Sequence, residues 1–199
     1  SEYGHSVASG SPAIRDEVRT AEVIGALCLA TDLGIGLPFE HGLQSTIFAM
    51  RIADSLGVDT EIAVQVYYGC LLFYVGCTVD AEASAELFED GVLLTYFNPV
   101  IFGTPAQTMS GIIRSLAASG KTPPGKVLRV ATTLPRAVRG HRNHITALCE
   151  VAQMLSERLG MPEGVSDLFV HYTERWDGKG QPGAPKEQEI PLPLRVIHV

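Results

Sequence analysis

The sequence predicts an all-α helical bundle, and three observations carry that prediction. Apolar residues recur at steps of three and four over most of the 199 residues. The alternation expected of half-buried strands is sparse. Glycines and prolines mostly separate the periodic runs instead of interrupting them. Composition agrees: 46% hydrophobic and 19% charged residues supply enough apolar surface for a sizeable core and exclude wholesale disorder.

The first helix is predicted between Pro12 and Leu33, where Val18, Ala21, Ile24, Leu27, Cys28 and Thr31 keep to one side and Gly34 and Gly36 stop the run. Pro38 opens a second helix, since proline suits the first turn, and Gly57 ends it. Asp59 or Thr60 caps a third, TEIAVQVYYGCLLFYVGC, which is apolar nearly all round and therefore the central buried helix. DAEASAELFED predicts a short helix, and GVLLTYFNPVIFGTP is apolar and ambiguous. PAQTMSGIIRSLAAS predicts a further helix, with Gly120 just past its end, and SGKTPPGK a loop. A long helical pattern from Lys126 to Leu159 has room for a break or kink at Pro135 and ends at Gly160 and Pro162. EGVSDLFVHYTERW predicts another helix, and DGKGQPGAPKEQEIPLPL a Gly/Pro-rich loop. At RVIHV an apolar element is only beginning, so the native polypeptide is expected to continue into a further domain, and residues 12–199 to be truncated at their C-terminal end.

Charge and cysteine usage narrow the function. The net charge is −7, which argues against direct nucleic acid contact through a broad basic face. Mean hydropathy is +0.17, yet no apolar run approaches the ~18 residues of a membrane span. Cys28, Cys70, Cys77 and Cys149 form no C-x-x-C pair and read as buried reduced thiols, which fits a reducing cytoplasm. Residues 1–11 lack the basic and apolar regions of a signal peptide and read as a flexible leader. Two short motifs carry nothing: G-I-G at 34–36 has no preceding strand, and S-G-K-T at 119–122 lacks the earlier glycine of a phosphate loop.

One constellation is more specific. His41 lies at a helix start, LLFYVG (71–76) lies in the buried helix, and ERWDGKGQP (174–182) is followed by EIPLPLRVI (189–197). This order resembles the HD-GYP branch of the HD-domain metal phosphohydrolases over roughly residues 14–199, with a poorly matched helical insertion at about 78–143. The resemblance implies an HD-domain-like bundle, a two-metal centre of His and Asp ligands drawn from several helices, and a cyclic dinucleotide substrate. Such metals bind the phosphate and generate a hydroxide nucleophile, and His nitrogen and Asp oxygen suit iron, manganese or zinc.

Taken position by position, the resemblance leaves one ligand. His41 stands where the family has its first His. Phe73 and Tyr74 replace the paired His-Asp, Leu148 the next His, and Tyr172 and Thr173 the His-His before E-R-W-D-G. The family's final Asp would fall beyond Val199. Phe and Leu have no lone pair to donate, so these side chains are expected to plug the former metal cavity. Tyr74 needs a partner for its hydroxyl if buried, and His41 is a candidate neighbour.

Each remaining residue has a structural and a functional reading. His41 is a leftover ligand or a packed structural residue. His141 and His144, an i, i+3 pair, could join His41, His171 and Asp80 or Glu82 in a rebuilt metal site, or be ordinary helix histidines. In the loop, Trp176 is expected to hold the chain to the bundle, the glycines to allow positive φ, Asp177 to form an Asx turn, and Lys179 to be available to a nucleotide phosphate. The candidate ligand pocket is therefore His41, Tyr74, His144, His171, Trp176, Asp177 and Lys179, with no catalytic residue and no metal expected. The leading expectation is a non-catalytic sensory domain binding a small molecule or nucleotide. The resemblance implies neighbours of the LuxR helix-turn-helix type, as in actinobacterial proteins. The alternative is a divergent phosphohydrolase holding Fe, Mn or Zn. A third possibility is a homodimer scaffold using apolar surface at residues 91–102 and at the C-terminal end.

Overall fold

A computed structural model of the protein describes residues 19–35, 37–76, 103–118, 122–180 and 185–199. The predicted leader, the predicted helix at 80–90, the apolar run at 91–102 and Cys77 lie outside these residues. Among the described residues the structure is all-helical and contains no strand. The elements are α1 (Thr20–Ile35), α2 (His41–Leu56), α3 (Thr60–Gly76), α4 (Pro105–Ala118), α5 (Pro123–Arg158), α6 (Val165–Leu168) and α7 (Leu192–Ile197), with a 3-10 turn at Glu187–Glu189 before α7. No helix among them is long and apolar enough to cross a membrane.

The polar ends of these helices are satisfied locally. Gly57, at φ 64, donates its N–H to the carbonyls of Ala53 and Asp54 and closes α2. Asp59 then accepts the N–H of Ile62 at 2.9 Å and starts α3. Thr104 and Gln107 cap α4 reciprocally: the Thr104 hydroxyl accepts the Gln107 N–H at 3.2 Å, and the Gln107 side chain accepts the Thr104 N–H at 2.7 Å.

Helix α3 is the axis of the bundle and packs against α1, α2, α5, α6 and α7. Its buried positions run round most of its circumference, from Gln65 and Val66 through Leu71 and Leu72 to Val75, as the unbroken apolar sequence predicts. The main core joins α3 to Ile24 and Cys28 of α1, Leu148 and Ala152 of α5, and Leu168 of α6. A second, separate cluster lies between α4 and the first half of α5, where Ile112 and Leu116 meet Ala137, Val130 and Leu134. Thus α5 serves two cores, one with each half.

Several local expectations are corrected. Helix α1 runs through Gly34 to Ile35. Helix α2 starts at His41, not Pro38, after a turn in which His41 N–H bonds the Pro38 carbonyl at 3.0 Å and Glu40 takes φ 67. The loop at 119–126 is shorter than predicted, because Thr122 caps α5 and Pro123 and Pro124 fill its first turn, where a missing N–H costs nothing. No break occurs at Pro135; α5 is assigned helix continuously through it.

The segment 163–176 is not one helix. Only Val165–Leu168 is α-helical, and tighter i→i+3 bonds continue from Phe169 to His171. Both turn types bring residues three apart to the same side, so Val165, Leu168, Phe169 and Tyr172 are all buried as the periodicity demands. The apolar residues of the last element are mostly covered, while Val199 is 81% exposed. Leu194 and Val196 of α7 are buried, Val196 against Ala49, Ala53 and Val66.

Candidate functional site

The residues aligned with metal ligands form a row of rings through the core. His41, at the first turn of α2, meets Tyr74 edge-on at 5.4 Å between centroids. Tyr74 meets Phe73 edge-on at 5.6 Å. Phe73 stacks on Tyr172 at 4.5 Å and 5° from parallel. Tyr172 in turn has the edge of His198 at 5.5 Å. These are favourable aromatic geometries. Phe73 and Leu148 are buried, and Tyr172 is 1% exposed.

The Tyr74 hydroxyl of this row is engaged within the bundle. The Tyr74 hydroxyl donates to the Ser45 hydroxyl at 3.0 Å, so the partner of its hydroxyl is Ser45 and His41 supplies a ring contact only. Gly42 allows the close approach of α1 and α3 at this end: a β-carbon there would collide with the Cys28 sulfur and press on the Tyr74 ring. The Gly42 N–H donates to Oδ2 of Asp32 at 3.2 Å, and Asp32 is fully buried. This places a carboxylate at the N-terminus of α2, where the helix dipole favours it. Burial, reinforced by Asp32, pushes the Cys28 thiol up to about 12, and burial pushes Cys149 up to about 11. Cys28, Cys70 and Cys149 are free thiols.

This set does not fit a two-metal centre of the family's type. Phe73 and Leu148 offer no donor, and the Tyr172 ring is packed between other rings. Among the described residues no group of three His, Cys, Asp or Glu is placed to hold a metal ion. The side chains of His141 and His144 lie outside the described residues, although both positions belong to α5. His171 lies in the turn after α6, half-buried, and its Nδ1 is buried without a hydrogen-bond partner.

At the far end of the row His198 borders an open cleft of about 450 Å³, lined also by Glu174, Arg175, Trp176, Asp177, Ile190 and Arg195. The ERWDGKG tract builds one wall. Arg175 closes its guanidinium fork on Asp177, with Nε to Oδ1 at 3.0 Å and Nη2 to Oδ2 at 2.9 Å. That pairing holds the Asp177 carboxyl down at about 2. Asp177 also accepts the Lys179 N–H at 3.1 Å, the Asx turn expected of it. Gly178 has φ 68, and Gly180 lies so close to the backbone of Thr173, Glu174 and Arg175 that a β-carbon would fall 2.5–2.6 Å from it. Both glycines of the motif are thus required by the backbone path.

Trp176 departs from expectation. It does not hold the loop to the bundle; its side chain is 57% exposed at the cleft. The loop is fastened by backbone, through Gly180 and through the Glu187 N–H donating to the Trp176 carbonyl at 3.1 Å. The other wall is α7 and the residue that ends it, which contribute Arg195 and His198. The Arg195 side chain has no ion-pair or hydrogen-bond partner among the described residues, and its Nε is buried. Burial pushes the His198 imidazole below its ordinary pKa, opposed in part by a hydrogen bond with the Tyr172 backbone.

Of the predicted pocket residues, Trp176 and Asp177 meet at this cleft. Lys179 is exposed on the same loop but is not part of the lining, and His41 and Tyr74 sit at the opposite end of the ring row. Arg195 and His198 were not singled out. Arg195 lies within the EIPLPLRVI tract (189–197), so a signal for it was legible.

No family model matches the chain, and no solved structure matches it. Among curated proteins the chain is similar to the 3'3'-cGAMP-specific phosphodiesterase 3 of Vibrio cholerae, with 24% identity over 179 residues. The match covers 88% of this chain and 38% of that protein, so the chain spans well under half the length of its relative. This distant similarity supports a relationship with the HD-domain phosphohydrolases.

Proposed function

We propose that this chain is a regulatory domain of the HD-GYP type that has kept the scaffold, lost the hydrolytic centre and binds a small anionic ligand of the nucleotide class. The observation that carries this reading is the stack of Phe73 on Tyr172, two rings at 4.5 Å where the family would place metal ligands. Packed aromatic rings there supply neither a Lewis acid nor a bound hydroxide. The cleft beside them has the chemistry for recognition: an exposed Trp176 face for a base, and an Arg195 guanidinium for a phosphate. Ligand occupancy would change the contacts of α7 and the 174–180 loop and so reach whatever part of a larger polypeptide is attached. A DNA-binding partner domain of the helix-turn-helix type belongs to this proposal.

A second reading, a divergent metal phosphohydrolase using His41, His141, His144 and His171, is favoured by the similarity to a phosphodiesterase. Elemental analysis of the purified protein, before any chelator, separates the two. Iron, manganese and zinc far below one equivalent, with no hydrolysis of cyclic dinucleotides, is the expected result. One or two tightly held equivalents accompanied by turnover would overturn the regulatory reading.

A further inference from the structure

The net charge of −7 hides a strong asymmetry. Residues 91–149 contain seven Lys and Arg and no Asp or Glu, which leaves −14 on the rest of the chain. Five of those cations fall on described side chains: Arg114 of α4, and Lys126, Arg129, Arg136 and Arg139 of α5. Arg114, Lys126, Arg136 and Arg139 are exposed, and Arg129 is half-buried.

Their placement on α5 is ordered. Lys126, Arg129, Arg136 and Arg139 follow at steps of three, seven and three, which keeps them on one side of a helix. Val130, Leu134, Ala137 and Val138 occupy another side and pack with α4. The polar residues Thr132 and Asn143 lie along the cationic side, with no large apolar side chain set among them. From Lys126 to Arg139 the row spans about 20 Å, over which one strand of a duplex presents about six phosphates. The helix is continuous through this stretch, with Pro135 inside it.

We infer that helix α5 binds the phosphodiester backbone of a nucleic acid through Lys126, Arg129, Arg136 and Arg139. A linear polyanion matches a linear row of cations, and guanidinium forks suit phosphate oxygens. An amphipathic helix that enters a membrane instead sets a face of large apolar groups opposite its cations. Here Val130, Leu134, Ala137 and Val138 on that side pack against α4, and along the row only the large apolar Val127 and Leu128, at the start of the helix, are exposed. The inference is independent of the cleft at Trp176.

The test is fluorescence anisotropy of labelled 20-base-pair DNA and RNA duplexes titrated with the full chain, which includes the acidic residues between Asp80 and Asp90. Binding is expected, with about four phosphates neutralised. The log–log salt slope should then be about −3.5, a loss near a hundredfold between 50 and 200 mM salt. Lys126→Ala/Arg139→Ala should reduce the slope by about two and weaken binding at least about tenfold, with an unchanged melting curve, since alanine suits a helix and both side chains are exposed. Equal affinity for the two duplexes would assign the site to phosphate alone, and a preference for one would name the natural polymer. No binding at 50 mM salt, binding indifferent to the double substitution, or capture by phosphatidylserine vesicles without duplex binding would each overturn the inference. So would a salt-sensitive self-association in place of duplex binding.

Discussion

The two ends of the ring row in this bundle use similar side chains for opposite purposes. At the His41 end, Tyr74 is drawn inward, its hydroxyl given to Ser45 and its ring wedged over Gly42. At the His198 end, Trp176 and the Arg195 guanidinium face an open cleft, and backbone contacts together with the Arg175–Asp177 pair hold the wall that carries Trp176. Tyr172 belongs to both, with one ring face against Phe73 and the edge of His198 against it. Aromatic residues of this row therefore act as core where they are enclosed. Recognition chemistry is found only where the row reaches the surface.

That division can be broken at Tyr172. Tyr172→Ala deletes a fully buried ring and should cost about 3–5 kcal/mol of unfolding free energy, read from a urea midpoint shift. A variant of nearly unchanged stability would contradict the plugged core. Arg195→Ala should do the reverse. Its melting curve should stay close to the parent's, while affinity of the cleft for a nucleotide phosphate, measured by calorimetry, falls about tenfold, as for loss of one charge-assisted hydrogen bond. If Arg195→Ala unfolds the chain instead, the guanidinium is a structural group and the cleft loses its anion site.

The comparison also explains what was legible in the sequence. Helices α2 and α3 follow from local chemistry, with Gly57 and Asp59 marking the junction within a residue of its place. The enclosed end was readable because Phe73, Tyr74 and Leu148 fall within apolar helical runs that pack into one core. The cleft was not, because its two walls come from segments that meet only through tertiary contacts, Glu187 to Trp176 and Gly180 against Glu174. Trp176 was misjudged for a related reason: a large apolar ring is ordinarily buried, and nothing local signals that glycine backbone packing has taken over its role. The turn after α6 was misread as helix because residues three apart face the same way in both turn types. The charge row on α5 was written in the sequence but concealed by summation, since an acidic total says nothing about where the cations stand.

The smallest expected effect sharpens the comparison most, because it reports on the junction itself. His198 is buried against Tyr172 and shares its cleft with Glu174, Arg175, Asp177 and Arg195. Desolvation lowers its pKa in the folded chain below the 6.5 of the free group. Above that value the imidazole is neutral in both states and its contribution to stability is complete. As pH falls through 6.5 the unfolded chain takes up a proton that the folded chain resists, so stability declines until the folded pKa is passed. Urea midpoints at pH 7.5 and pH 5.5 should therefore differ more for the parent than for His198→Gln, which cannot titrate. A bound anion at Arg195 would lift the imidazole pKa by adding negative charge to the cleft, so ligand should shrink the parent's difference towards the variant's. If the parent and His198→Gln show equal pH dependence, His198 is not held neutral by burial. The ring row would then end at Tyr172, inside the core, and the cleft would stand apart from it.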